Sequence, residues 1–317
     1  MQATSTVEQT SDDLAGAKQL PPLSDSRTLG RALGDIKNGL HQRELWSHLG
    51  WQDIKQRYRR SVIGPFWITI SQGVIALGLG LLYSQLFGMH IQTFLPYISA
   101  GFIVWAFISG CLTEGMETFI TNEGLIKQIR APLTVYALRT VWRQTLMFGH
   151  NLIVIVVVVG IFFGNLNHSY ALSQSGMCTP ENICHPGLGW YTLTAIPAFF
   201  VLALNGVWVT LLLGIISTRY RDIPQVINSL IQLLFYLTPI VWPIDQLKNG
   251  QRGGVSWAEP IIHLNPIYHF VQILRAPLIG QAVSVWSWVA VGGITVVGWL
   301  LALVAMRNYR ARVSYWV

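Results

Sequence analysis

The side chains best suited to ligand chemistry form a basic cluster, Lys55, Arg57, Arg59 and Arg60, within the stretch "DIKQRYRRSVIGPFWITI". Such a cluster can bind the phosphates of nucleic acid, an anionic membrane surface or an acidic partner. The next residues separate these possibilities, because the chain passes without a polar linker into an apolar run. This arrangement is typical of a helix that lies on a membrane and argues against a nucleic acid partner.

Two acids stand inside an apolar stretch, Glu114 and Glu117, and their spacing of three residues places them on one helix face. A carboxylate at the centre of a bilayer costs at least ~2.5 kcal/mol, so Glu114 is expected to pair with Arg139 or Arg143. Two roles remain open for Glu114 and Glu117: a structural ion pair, or a polar gate at the entrance of a transport path. A pair of glycosidase carboxylates is disfavoured, because nothing indicates a water-exposed cleft.

The polar stretch "MCTPENICHP" contains Cys178, Cys184 and His185. A disulfide, two free thiols and a metal site are the alternatives. The disulfide requires an oxidising compartment, and the metal site would lack a fourth ligand. Cys111 lies in an apolar run and is expected to be a buried packing residue.

Composition gives the class of protein. Of 317 residues, 52% are hydrophobic and 11% are charged, with a mean hydropathy of +0.44. Soluble domains are about 25% charged, so an integral membrane protein is predicted. Residues 1–40 are polar and lack the apolar core of a secretory signal, so we expect a flexible cytoplasmic tail followed by one membrane domain over 41–317.

Helices of ~20 apolar residues cross a membrane, and six runs have that length. The fold class is therefore an all-α integral membrane protein with six transmembrane helices. A further apolar stretch, 260–280, is interrupted by Pro260, Pro266 and Pro277, and its short uninterrupted pieces are typical of a re-entrant or interfacial segment. The predicted spans are 63–87, 94–120, 140–163, 190–216, 225–244 and 285–306.

Orientation follows from Lys and Arg, which concentrate in cytoplasmic loops. With six spans, 18 of the 21 Lys and Arg residues lie on the side that holds both termini. Both termini are therefore predicted to be cytoplasmic, and the Cys178–Cys184 loop to be outside. Within residues 44–62, Trp51, Ile54 and Tyr58 fall near one helix face, which predicts an N-terminal amphipathic interfacial helix on membrane lipids.

Five segments in this order resemble the permease subunits of bacterial ABC type-2 polysaccharide exporters, with the O-antigen permeases as the nearest group. The resemblance covers most of 40–317. The segments are "DIKQRYRRSVIGPFW", "GLIKQIRAPLTVYALRTVWRQTLMFGHN", "RYRDIPQVINSLIQLLFYLTPIVWP", "LNPIYHFVQILRAPLIG" and "RVSYWV".

This resemblance implies a homodimer in the bacterial inner membrane, driven by two copies of a separate ABC ATPase subunit. It implies export of lipid-linked polysaccharide, and it makes this chain a transport subunit rather than an enzyme. The sequence contains no G-x-x-x-x-G-K-[ST] phosphate loop, so ATP is expected on the partner and no cofactor on this chain.

The resemblance also implies that 260–280 forms a re-entrant extracytoplasmic hairpin between spans five and six. The family's coupling helix, which docks on the ATPase, maps by the motif to 123–132. A plain interfacial turn is the alternative. Gly124 precedes a short helix-forming run that Pro132 would end. The implied contacts are Glu123, Leu125, Ile126, Lys127, Ile129 and Arg130.

A path for a sugar polymer should be aromatic and weakly polar, because sugar rings pack their C–H faces on aromatic rings. Aromatic residues also serve in interface belts and in helix packing, and that role remains open for each of them. The residues predicted for the mouth are Trp51, Arg57, Tyr58, Arg59 and Arg60. The residues predicted for the path are Phe66, Trp67, Trp105, Trp208 and Glu114.

Three other functions are compatible with parts of this pattern. An ABC type-2 exporter of a drug or lipid would share the fold. A proton-coupled transporter would need deeper acids and an internal repeat. A membrane enzyme of glycan assembly would need clustered acids at one membrane face.

Overall fold

The computed structural model describes residues 27–64, 66–129, 131–173, 175–179, 183–244 and 258–317. Residues 1–26 of the predicted tail, Pro65 and the predicted coupling residue Arg130 therefore lie outside the described residues. The N-terminal half contains α1 (Leu29–His41), α2 (Arg43–Arg57), α3 (Phe66–Phe87), α4 (Ile91–Thr121), α5 (Glu123–Gln128) and α6 (Leu133–Ile161).

The second half begins with the short α7 (Phe163–Leu166) and an antiparallel pair of two-residue strands. The two strands are β1 (Tyr170–Ala171) and β2 (Cys184–His185), and the remaining elements are helices. In chain order these are a 3-10 helix (Trp190–Thr194), α8 (Ala195–Arg219), α9 (Ile223–Leu237), α10 (Ala258–Leu264), α11 (Pro266–Leu278) and α12 (Val285–Trp316).

The central element is α4, which is buried along most of its length and packs against α3, α6 and α8. Small residues permit its close approach to α8. A Cβ at Gly115 would lie 2.9 Å from Thr210 Oγ1, and one at Gly214 would lie 2.9 Å from the Phe119 ring. Such small-residue contacts are how membrane helices pack without a hydrophobic driving force.

Within the described residues, five segments are helices long and apolar enough to cross a membrane: α3, α4, α6, α12 and the segment Trp190–Arg219. The fifth predicted span, 225–244, differs. Its helix α9 has 15 residues, fewer than the ~20 of a full crossing. The helix ends at Leu237 because Pro239 follows, and residues 238–241 continue as buried, non-helical chain.

The predicted tail is corrected for residues 29–40, which form helix α1. Thr28 caps this helix by accepting from Arg31 N at 3.3 Å. The helix buries Ala32 and Asp35 against α6 and α12, and this packing holds it in place.

The second helix, α2, ends at Arg57, short of the predicted residue 62. Its buried side faces α6, where Gly50 meets the Trp142 ring and Trp46 packs edge-on to Trp142 at 5.8 Å. Ile54 is buried here, whereas Trp51 is 43% exposed. Of the residues predicted to share one apolar face, Ile54 therefore packs against the protein, whereas Trp51 is exposed.

Candidate functional site

An ionic network joins α2, α4 and α6 at the end of the bundle where α5 lies. Arg139 binds Asp53 through two hydrogen bonds, of 2.5 and 2.8 Å, and donates to Asn122 Oδ1 at 2.7 Å. Arg143 donates to Asp53 at 2.7 Å and to Glu114 Oε2 at 2.7 and 2.9 Å. Arg57 donates to the other Glu114 oxygen at 3.2 Å. The expected partner of Glu114 is therefore Arg143, and Asp53 is the carboxylate that Arg139 binds.

The charge of Asp53 depends on these arginines. Burial opposes ionisation of its carboxyl group, but the hydrogen bonds and positive charges of Arg139 and Arg143 outweigh burial and lower its pKa. Asp53 is thus held as an anion, which fastens α2 to α6.

Directly beside the network is a cavity of about 690 Å³ that is bordered by α3, α4, α6 and α9. Its wall combines aromatic rings with uncharged amides and hydroxyls. The lining side chains with polar or aromatic groups are Arg57, Gln72, Phe102, Trp105, Phe107, Ser109, Thr113, Glu114, Gln144, Phe148, Asn151, Asn228, Gln232, Phe235 and Tyr236.

One face of α9 contributes to this wall. Asn228, Gln232 and Phe235 recur at intervals of four and three residues, which places them along one stripe of the helix. Phe235 packs on Trp105 with ring centroids 5.5 Å apart. Asn228 and Gln232 are exposed. Amides exposed on a helix of a membrane protein favour a polar path over lipid on that side.

Two amide oxygens of lining residues have no hydrogen-bond partner within the described part of the chain, Gln72 Oε1 and Asn151 Oδ1. Asn151 is 4% exposed. Because a buried acceptor without a donor is costly, these oxygens are suited to a ligand that donates hydrogen bonds.

The structure brings together three of the predicted mouth and path residues: Arg57, Trp105 and Glu114 all line the cavity. Phe66 and Trp67 lie outside its lining and are 49% and 59% exposed, with Phe66 edge-on to His150 at 5.9 Å. Trp208 lies elsewhere, against Gly298 of α12. Its indole donates to Asn205 Oδ1 at 2.6 Å, and it borders a separate apolar cavity of about 190 Å³.

The remaining mouth residues surround the end of α2. Arg59 and Arg60 are exposed. Burial raises the pKa of Tyr58, against the opposing charge of Arg57. Trp51 lies under Lys55, whose Nζ is 5.8 Å from the ring centroid. Contact of these residues with phosphates at a membrane surface stays a prediction from the sequence.

The predicted coupling residues form a small projecting element. Leu125 and Ile126 pack against the core, whereas Glu123 and Lys127 are exposed and paired at 2.6 Å. The hydrogen bond from Lys127 lowers the pKa of Glu123. Ile129 follows the end of α5 in an extended conformation and is 50% exposed.

Asp35 of α1 holds the chain directly after this element. Its carboxylate accepts from Leu133 N at 3.2 Å, Thr134 N at 3.1 Å and Thr134 Oγ1 at 2.8 Å. These are the first amides of α6, whose N-cap Pro132 offers no side-chain hydrogen bond. Arg310 of α12 approaches the same carboxylate at 3.4 Å. Asp35 therefore joins α1, α6 and α12 beside the coupling element.

At the opposite end of α4, Arg275 of α11 is buried without a carboxylate among its described contacts. It donates to the carbonyl of Pro239 at 2.6 Å and to Gln272 at 2.8 Å, and lies 4.1 Å above the Tyr97 ring. Asn265 separates α10 from α11 and donates to Thr238 at 2.9 Å. The non-helical chain after α9 is thereby satisfied by protein groups.

The loop after α7 contains a disulfide between Cys178 and Cys184, whose Cα atoms are 5.3 Å apart. This pairing selects the disulfide among the three alternatives. Two oxidised thiols cannot ligate a metal with His185. Cys111 is buried, as the sequence predicts.

Sequence reasoning missed several residues of the site: Asp35, Asp53, Gln72, Asn228 and Gln232. A signal existed for the last two, because amides four residues apart in an apolar helix indicate a polar stripe. Asp35 and Asp53 gave no such signal, since their partners are distant in the chain.

Long apolar helices around a cavity with polar walls define a multi-pass membrane protein. A family model described as ABC-2 type transporter matches residues 44–279. The chain therefore belongs to the ABC-2 type transporter family, and the predicted resemblance is confirmed at that level.

Three relatives carry the name O-antigen export system permease protein RfbA. One from Klebsiella pneumoniae is 25% identical over 259 residues, covering 80% of this chain and 86% of the relative. Another from the same organism is 24% identical over 217 residues, covering 68% and 73%. One from Myxococcus xanthus is 22% identical over 236 residues, covering 72% and 82%. The chain is thus a membrane subunit of a transporter, and its family implies association with an ABC ATPase.

Proposed function

We propose that this chain is the permease subunit of an ATP-driven ABC exporter that moves lipid-linked polysaccharide across the bacterial inner membrane. The observation that carries the proposal is the cavity of about 690 Å³, whose walls alternate aromatic rings with uncharged amides. Such walls suit sugar rings, which offer apolar C–H faces and hydroxyl edges. The names of the three relatives support the same substrate class.

The proposed topology has six crossings and both termini in the cytoplasm. In it, α9 and the buried residues 238–241 together form the fifth crossing, and α10 and α11 form the re-entrant hairpin on the outer side. Non-helical chain at membrane depth is tolerated where protein groups satisfy its backbone, as Arg275 and Tyr97 do here for the carbonyl of Pro239. The disulfide loop then lies outside, where an oxidising compartment would preserve it.

The proposed partners are two copies of an ABC ATPase and a second copy of this chain. The ATPase is placed against α5 and the residues after it, where Glu123, Lys127 and Ile129 are exposed. ATP would bind to that partner. The second copy is placed against Asn228 and Gln232 of α9, because a partner chain could complete the wall of the path there.

The test is to deplete this protein and to locate the lipid-linked glycan of the cell. We expect long-chain glycan to disappear from the surface and to accumulate inside, still attached to lipid. Unchanged surface glycan would contradict a polysaccharide substrate and favour export of a drug or a lipid. Glycan missing from both places would indicate a role in synthesis and contradict export.

A further inference from the structure

Formal charge is confined to one end of the cavity. Among the described lining residues, only Arg57 and Glu114 are of a type that is charged at neutral pH, and they pair at 3.2 Å. Arg143 lies behind them, with its donors directed to Asp53 and Glu114. From Glu114 back to Phe102 the cavity follows α4 for about 18 Å, at 1.5 Å per residue, without another charged side chain in its described lining.

Amides provide the polarity of that uncharged length. Gln144 and Asn151 are two turns apart on α6, and Asn228 and Gln232 are one turn apart on α9. An amide both donates and accepts, as a sugar hydroxyl does, so the two groups can pair in either direction. A phosphate or carboxylate at neutral pH can only accept.

The buried acceptors decide between these ligands. Asn151 Oδ1 and Gln72 Oε1 lack a donor within the described residues, and Asn151 is 96% buried, with 4% exposure. A hydroxyl can supply the missing donor, whereas an anionic group beside these oxygens would be repelled. The low dielectric of a membrane cavity increases that penalty, since no cation there would offset it.

We infer that the cavity binds an uncharged, hydroxyl-bearing stretch of sugar, and that the repeating unit of the exported polymer lacks phosphate and carboxylate groups. This inference rests on the proposed export function. The rings of Trp105 and Phe235 provide the apolar surface for the sugar, and Arg57 at the charged end meets the anionic head of the lipid carrier.

The first experiment analyses the polymer that accumulates when the protein is depleted. After its lipid head is removed, we expect the polymer to pass unretained through an anion-exchange column and to give negative phosphate and uronic acid assays. A polymer with phosphate or carboxylate in each repeat would overturn the inference and leave the export function in place. Failure of any polymer to accumulate would instead remove the export function itself.

A second experiment tests the lining amides in the full chain in its own host. Gln232→Leu is compared with Gln225→Leu, which lies two turns earlier on the same helix and outside the lining. We expect a several-fold loss of surface glycan per membrane copy for Gln232→Leu and none for Gln225→Leu. Gln232 is exposed, so its replacement should leave folding intact. Equal export by the two variants would contradict sugar binding by the cavity.

Discussion

Asp53 lies between the two guanidinium groups of α6 and gives α2 a fixed position against the bundle. Arg139 binds it through both nitrogen donors of one edge, the planar arrangement that lysine cannot reproduce. Without its carboxylate, Arg139 and Arg143 would face each other across a part-buried space. The direct ion pairs between α2 and α6 therefore depend on Asp53.

Asp53→Asn should lower the free energy of unfolding at pH 7 by about 2 kcal/mol. A fully buried pair would lose about 3–5 kcal/mol, but these side chains keep 14–17% exposure. The folded protein lowers the pKa of Asp53 below its ordinary 3.8, so the stabilisation is present above that pH and is lost as pH falls through the folded pKa. Thermal unfolding in detergent should show the difference between wild type and variant shrinking as the pH falls below 3.8. A difference in stability between wild type and variant that does not change with pH would contradict the stabilising charge of Asp53.

Glu114 and Glu117 form a matched pair, since both lie on α4 within one turn. Glu114→Gln removes the charge that Arg57 and Arg143 share, and we expect a several-fold loss of export per membrane copy. Glu117 is exposed, and its replacement by Gln should change stability by less than about 0.5 kcal/mol. Surface glycan and membrane abundance are the measurements. An equal loss of surface glycan in both variants would show that export depends on any carboxylate at this end of α4 and not on the ionic network of Glu114.

At the scale of elements, the predicted coupling segment is held from three sides. The core supports α5 through Leu125 and Ile126, while Asp35 caps the following helix from α1 and approaches Arg310 of α12. A cap supplied by another helix couples the position of that helix to the first turn of α6. The carboxylate of Asp35 therefore brings α1, the start of α6 and α12 together beside α5.

Asp35→Ala should cost about 1–2 kcal/mol, the effect of a lost helix cap. It should also speed amide hydrogen exchange at Leu133 and Thr134, whose N–H groups lose their acceptor. Asp222→Ala is the control, because Asp222 precedes α9 without a capping side-chain bond. Unchanged exchange at Leu133 and Thr134 in Asp35→Ala would mean that the carboxylate does not hold the segment.

At the scale of the whole molecule, the short α9 decides the topology. If α9 and residues 238–241 cross the membrane, both termini lie on one side. If they do not, the end of α12 lies on the side of the disulfide loop.

Single cysteines at Met177 and Tyr315 distinguish these topologies, since these residues are 70% and 92% exposed. We expect a membrane-impermeant maleimide to label Met177→Cys in intact spheroplasts, and Tyr315→Cys only after permeabilisation. Labelling of Tyr315→Cys in intact spheroplasts would establish five crossings and refute the six-span proposal. Wild type is the control for background labelling of native cysteines.

The sequence alone determined the membrane class, the family and the helices at five of the six predicted spans, because the length and polarity of apolar runs are local properties. It also indicated the arginines of the predicted mouth and Trp105, because residue type and position in the chain are enough to predict their chemistry. Only the tertiary structure decided that α1 is part of the fold and that α9 ends early. It alone paired Asp53 with Arg139, Asp35 with Leu133, and the amides of α3, α6 and α9 around one cavity. These contacts join residues that are 86 to 99 positions apart or on separate helices. The periodicity of the sequence predicts the apolar face of a helix, but not which faces of two helices pack together.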